Sequence, residues 1–272
     1  MPIEVAKAHA YGNDFLYVKV AGWDDRNWAS TARDICQRQT GLGADGLILY
    51  QVDPAGHPRM RLLNADGSRA EISGNGVRGL AALLIWQSQQ VGLDAPRECV
   101  IETDAGTKRL MLLAHDGTRF TFRASMGEPE DIRQTTLDVG GERVDVVTLR
   151  VGNPQCVVLE GALDDQRYRR LGPMLERHQA FPQRTNVSFV HVAGPDRIEI
   201  LIWERGVGPT LASGTGACGA AVAAMAFGGC SRDLNVVAPG GAQRVAWTDA
   251  GIELTGWADV VWTGQWLGGC VL

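Results

Sequence analysis

The strongest constraint on the fold of this chain is that it repeats itself. Ser213 follows Ser73 by 140 positions (213 − 73), and at that offset Gly74, Gly76, Gly79 and Ala81 meet Gly214, Gly216, Gly219 and Ala221. Gly12-Asn13 meets Gly152-Asn153, and Asn64 falls on Glu204, each of these last two just after an apolar run. One glycine match arises by chance, but three separated blocks in one register require duplication of a structural half. The expected division is a first half over 1–125, with 262–272 returning to it, and a second half over 126–261. The join is placed near "ASMGEPEDI", residues 124–132.

Both halves carry the same predicted elements. Alternating or β-branched runs such as "EVAKAHA", "FLYVKV", "GLILYQV", "ECVIET" and "RFTFRA" read as strands, as do "VDVVTLRV", "CVVLEGA", "VSFVHVA", "RIEILIWE" and "QRVAWTD". "DDRNWASTARDICQRQ" and "LDDQRYRRLGPMLERH" read as amphipathic surface helices. Residues 75–88 and 215–227 are almost wholly apolar, dense in Ala and Leu, so each belongs inside a core. The expected fold class is therefore α/β (α+β), with two pseudo-symmetric domains, each a mostly antiparallel sheet or barrel around a central helix.

Composition removes several function classes. A net charge of −5 and a pI near 5.6 argue against a nucleic-acid surface. No apolar run is long enough to span a bilayer, and the first residues lack the pattern of a signal peptide, so a cytoplasmic protein without membrane contact is expected. Six dispersed cysteines without CxxC or His/Cys spacing read as reduced thiols, and no metal site is expected. Glycine is abundant, 34 of 272 residues against a usual ~7%.

The two Ser-Gly-x-Gly corners open the two buried helices. Their first N–H groups have no intrahelical partner and carry the positive end of the helix dipole, which suits a carboxylate or phosphate. Ser73 and Ser213 are N-cap residues on the plainest reading, which leaves the stripped, glycine-lined corner unexplained. "GNGVRG", "GTGACG" and "GLGADG" also fit the dinucleotide pattern GxGxxG. The context fails, because the turn "NADGSRAE" stands where the preceding strand should be. Around the corners lie Asn13, Asn64, Asn153, Asn186, Glu204 and Arg205. Several occupy turn-like settings where Asn tolerates unusual backbone angles. As a group they also suit a zwitterion: amides and helix N-termini for a carboxylate, Glu204 for an ammonium, Arg205 for a second carboxylate. The implied ligand is an amino acid, and one with two charged ends fits.

Taken together, "HAYGNDF", "GLGADGL", "NADGSRAEISGNGVR", "MGEP", "GNPQCVV", "FPQRTNV", "ERGVGPTLASGTGACGAA" and "PGG" resemble diaminopimelate epimerase, in the family's order and over nearly the whole chain. The resemblance implies an active-site cleft between two α/β domains, a homodimer, and metal-free, pyridoxal-free interconversion of LL- and meso-diaminopimelate in lysine synthesis. It implies no cofactor. It carries Asn13, Asn64, Gly74, Asn75, Asn153, Asn186, Glu204, Arg205, Gly214 and Thr215 over as substrate contacts. The family's two proton-transferring cysteines align with Ser73 and Ser213, and its assisting histidine aligns with Gln155. Pro209 and Gly79 also depart from the pattern. A cysteine at a helix N-terminus acquires a lowered pKa, whereas a serine hydroxyl without an adjacent base is a poor proton acceptor. Three readings stay open: an amino-acid epimerase, an isomerase or dehydratase on the same scaffold, and a protein that binds an amino acid unchanged.

Overall fold

A computed structural model describes residues 2–23, 27–70, 72–94 and 96–268. The chain divides into two compact units, residues 1–124 with 257–272, and residues 125–256. In chain order the first unit holds β1 (Ile3–Ala10), β2 (Asn13–Lys19), α1 (Trp28–Ile35), β3 (Gly46–Val52), β4 (Pro58–Asn64) and β5 (Arg69–Ala70). It continues with α2 (Gly74–Gln90), β6 (Glu98–Thr103), β7 (Gly106–Asp116) and most of β8 (Arg119–Gly127). The second holds β9 (Glu130–Val139), β10 (Glu142–Val151), β11 (Asn153–Glu160), α3 (Asp165–Glu176), β12 (Asn186–Gly194) and β13 (Arg197–Glu204). After these come β14 (Gly208–Thr210), α4 (Gly214–Phe227), β15 (Asp233–Ala238), β16 (Gly241–Thr248) and the start of β17 (Gly251–Trp266).

In the first unit the described strands close into an eight-membered ring, β1-β2-β3-β4-β6-β7-β8-β17 and back to β1. The second unit runs β9-β10-β11-β12-β13-β15-β16-β17 through its own pairings. Most neighbours are antiparallel. The parallel pairs β2–β3 and β11–β12 are bridged by α1 and α3, and β4–β6 and β13–β15 by α2 and α4. Such crossovers need a helix-length connection. The duplication extends to register: Phe15 lies beside Gly46 as Gln155 lies beside Asn186, and Leu47 pairs Leu63 as Val187 pairs Trp203.

Strand alternation sends successive side chains to opposite faces and so decides where the helices go. On one face of the first unit, Val5, Leu16, Val18, Leu47 and Leu49 pack with Ala32 and Ile35 of α1. On the other, Ala8, Phe15, Tyr17 and Ile48 press against Gly76 and Gly79 of α2. The second unit repeats this, with Val144, Val146, Cys156 and Val158 towards Tyr168 and Leu171 of α3. Val147, Leu149, Val151 and Val157 face Ala217 through Ala224 of α4. The small residues of α2 and α4 let strand side chains approach closely. A Cβ at Gly79 would collide with the Tyr17 hydroxyl, which donates a hydrogen bond to the Gly76 carbonyl at 3.0 Å. Gly219 is under the same pressure from Gln155, whose Cγ would lie 2.8 Å from an added Cβ. Among the described residues no helix is long and apolar enough to cross a membrane.

Candidate active site

Both corner serines are helix N-caps. Ser73 (φ −127°, ψ 121°) accepts the Gly76 N–H at 3.2 Å, and Ser213 (φ −141°, ψ 130°) accepts the Gly216 N–H at 3.3 Å. The plain reading of the serines therefore holds. Each hydroxyl oxygen is occupied by its own helix, and each keeps its hydrogen to donate. Gly74-Asn75 and Gly214-Thr215 supply the first helical positions, whose N–H groups point away from the helix.

In the first unit, β1 turns into β2 through Tyr11 and Gly12, both at positive φ (58° and 86°), a two-residue hairpin turn. Tyr11 is buried, and its hydroxyl accepts the Trp257 N–H at 3.1 Å, which helps to hold this backbone angle, unfavourable for a non-glycine residue. Burial pushes the Tyr11 hydroxyl pKa up, against the opposing pull of Arg78. The turn delivers Asn13, whose amide donates to Asp45 Oδ2 at 2.7 Å and accepts from Asn75 Nδ2 at 3.2 Å. Asn75 in turn accepts from the buried Arg78 guanidinium at 3.0 Å. Asn64, at the end of β4, donates to the Ser68 hydroxyl at 2.9 Å across the following turn.

In the second unit Asn153 opens β11, donating to the Thr215 hydroxyl at 3.4 Å and accepting from Gln155 Nε2 at 2.5 Å. Gln155 is fully buried, and its Oε1 has no hydrogen-bond partner among the described residues. Asn186 donates to the Pro154 carbonyl at 3.3 Å and accepts the Arg205 backbone N–H at 3.0 Å. Glu204 ends β13 half-buried, while Arg205 is exposed and its guanidinium donates to the Gln183 carbonyl at 3.2 Å. The structure thus brings Asn13 to Asn75, Asn153 to Thr215 and Gln155, and Asn186 to Arg205, whereas the Asn64 side chain bonds to the Ser68 hydroxyl of its own turn.

Three carboxylates, with their cationic partners, escaped the sequence reading. Asp14 and Asp45 flank Arg38, which binds Asp14 at 2.9 and 3.2 Å and Asp45 at 2.7 Å, while Lys7 meets Asp14 at 2.8 Å. Burial works against the Asp14 charge, but the Arg38 and Lys7 partners prevail and hold its pKa below the usual carboxylate range. Glu176, only 3% exposed at its side chain, accepts the Gly206 N–H at 2.9 Å and the Trp203 indole N–H at 3.4 Å. It also pairs with Arg184 at 3.4 Å, a residue held at φ 59°. It thereby fastens the turn that follows Glu204 and Arg205.

Among the described residues, the buried thiols are unsuited to proton transfer. Cys156 and Cys218 are fully buried, and burial pushes the Cys156 thiol up to about 12. Cys36 is likewise raised to about 12, by burial first and then by Asp14 and Asp45.

The family model for diaminopimelate epimerase matches residues 5–132 and 147–261. A diaminopimelate epimerase of Desulforudis audaxviator is 41% identical over 97% of this chain and 99% of its own length. Among solved structures, a phenazine biosynthesis protein of the PhzF family from Bacillus anthracis superposes with a TM-score of 0.71 at 16% identity, covering 98% of this chain and 100% of that one. A structure described as a probable proline racemase from Agrobacterium radiobacter gives 0.71 at 15% identity over 99% and 94%. These two likenesses establish the shared fold.

Proposed function

Because this chain belongs to the diaminopimelate epimerase family, a family of isomerases, we propose that it binds diaminopimelate and inverts its α-carbon without a cofactor. The observation that carries this reading is the doubled corner: a capped, glycine-lined helix N-terminus with a side-chain amide bonded to it, in both units. In this reading the N–H groups of Gly74-Asn75 and Gly214-Thr215 take a carboxylate, assisted by Asn13, Asn64, Asn153 and Asn186. Glu204 takes an ammonium, and Arg205 takes the second carboxylate.

Ser73 and Ser213 stand at the proton-transfer positions, with Gln155 behind the second unit's corner. Losing a positioned acid or base typically removes about 10²–10⁴ in rate, so turnover is expected to be slow. The serine oxygens already serve as caps, which favours a second reading, retention of the ligand without turnover. The two separate in deuterated solvent. Slow exchange of the α-proton of LL- or meso-diaminopimelate supports catalysis, whereas a ligand-dependent rise in melting temperature without exchange supports binding alone. Ser73→Cys with Ser213→Cys is expected to raise exchange strongly, and neither single variant is expected to match the pair. A double variant that still fails to exchange the α-proton would defeat the epimerase reading.

A further inference from the structure

We infer that Asp45 is a positioning residue that fixes the hydrogen-bonding polarity of the first unit's corner, through a one-way chain running Arg78, Asn75, Asn13, Asp45. The inference deepens the proposed function and rests on it for the identity of the ligand. A guanidinium can only donate and an ionised carboxylate can only accept. Arg78 therefore faces the Asn75 oxygen, at 3.0 Å, and Asp45 faces the Asn13 amide nitrogen, at 2.7 Å. With both ends set, the middle contact of 3.2 Å must run from Asn75 Nδ2 to Asn13 Oδ1. Neither amide can flip without setting donor against donor or acceptor against acceptor.

Asp45 is itself pinned. Its Oδ1 holds Arg38 at 2.7 Å, its Oδ2 also accepts the Asp14 N–H at 3.1 Å, and Arg38 is shared with Asp14. The segment "GLGADG" is its mount: Gly43 takes φ +71°, and its carbonyl accepts Lys7 Nζ at 2.6 Å. Each amide keeps one N–H that the chain does not use. Beside the first-turn N–H groups of α2, these make a corner that offers donors, and the matching ligand group is a carboxylate.

The second unit has no such fixed ends. There the chain runs Gln155, Asn153, Thr215, from a neutral amide to a rotatable hydroxyl, and it points towards the helix instead of away from it. Charge-fixed polarity is thus a property of the first unit's corner.

The test is Asp45→Asn in the full chain, a substitution the fold should tolerate because the Asp45 side chain is 40% exposed. Two-dimensional NMR of side-chain NH₂ groups reads the chain without any ligand. The Asn75 NH₂ does not touch residue 45, yet its signals are expected to shift and its hydrogen exchange to rise at least fivefold. Calorimetry with diaminopimelate is expected to show about a tenfold weaker Kd, the loss of one charge-assisted hydrogen bond, with little change in melting temperature. An unchanged Asn75 NH₂, or an Asp45→Asn variant that binds like the original, overturns the inference. If the original chain binds no diaminopimelate, the functional reading falls alone, and the NMR result still decides the chain.

Discussion

Replacing Glu176 with alanine probes how the Glu204-Arg205 turn is held, and its magnitude follows from the contacts. The Gly206 N–H at 2.9 Å loses a charged acceptor, about 1.5–3 kcal/mol. The Trp203 indole at 3.4 Å is a longer bond and adds less. Arg184 and Arg177, at 3.4 and 3.6 Å, have half-exposed heads that water re-solvates, so the ion pairs add only about 0–1 kcal/mol. The expected total is about 2–4 kcal/mol. At about 2–4 °C per kcal/mol for a chain of this order of size, melting falls by roughly 5–15 °C. Urea unfolding followed by circular dichroism measures the first quantity, and hydrogen exchange at the Gly206 amide reports the turn directly. Glu176→Gln keeps an acceptor towards Gly206 and should lose less than half as much. A loss below about 0.5 kcal/mol for the alanine variant, within the range of ordinary surface substitutions, with Gly206 exchange unchanged, would mean that the buried carboxylate is not what secures the turn.

Two further outcomes are expected. Gly79→Ala forces the Tyr17 ring aside and breaks its bond to the Gly76 carbonyl, costing about 2–4 kcal/mol. Tyr17→Phe should recover part of that cost in the double variant, which a double-mutant cycle in urea would measure. The folded-state pKa of Asp14 is depressed by Arg38 and Lys7, so the unfolded chain binds more protons as pH falls below about 4. Its stabilisation is therefore present above the unfolded carboxylate value and is lost as pH falls through the folded one. Asp14→Asn should flatten that part of an acid-unfolding curve, and an unchanged curve would contradict the pairing.

The duplication, the two central helices and most strands could be read in the sequence because they obey one period each. Residues 75–88 and 215–227 are almost wholly apolar, and β3 is a nearly continuous apolar run, so burial is written into composition. The strands that escaped include β4, β15 and β17, which carry buried positions, and two with little buried face. β7 exposes most of its length and β9 nearly all of it, so neither alternates in hydrophobicity. The charged anchors were illegible for a different reason. Glu176 ends an amphipathic helix beside Arg177, where a carboxylate ordinarily meets solvent, and only the packing of Trp203 and the 204–208 turn buries it. Asp45 sits in the glycine-rich segment "GLGADG", which in the sequence shows no partner for it; Arg38 and Asp14 close on it only in the fold. Asp14 did leave a trace, a lone acid inside the apolar strand "NDFLYVK".

The bare flank of α4 at Gly219 limits what can stand opposite it. Gln155 fills the space that any other residue at 219 would claim, so a side chain can be added at 219 only if position 155 gives way. An imidazole at 155 would need the same vacancy across the way. Placing a ring on that strand is thus an exchange of one planar group for another within an existing slot, whereas a bulkier helix residue arriving first would close that route.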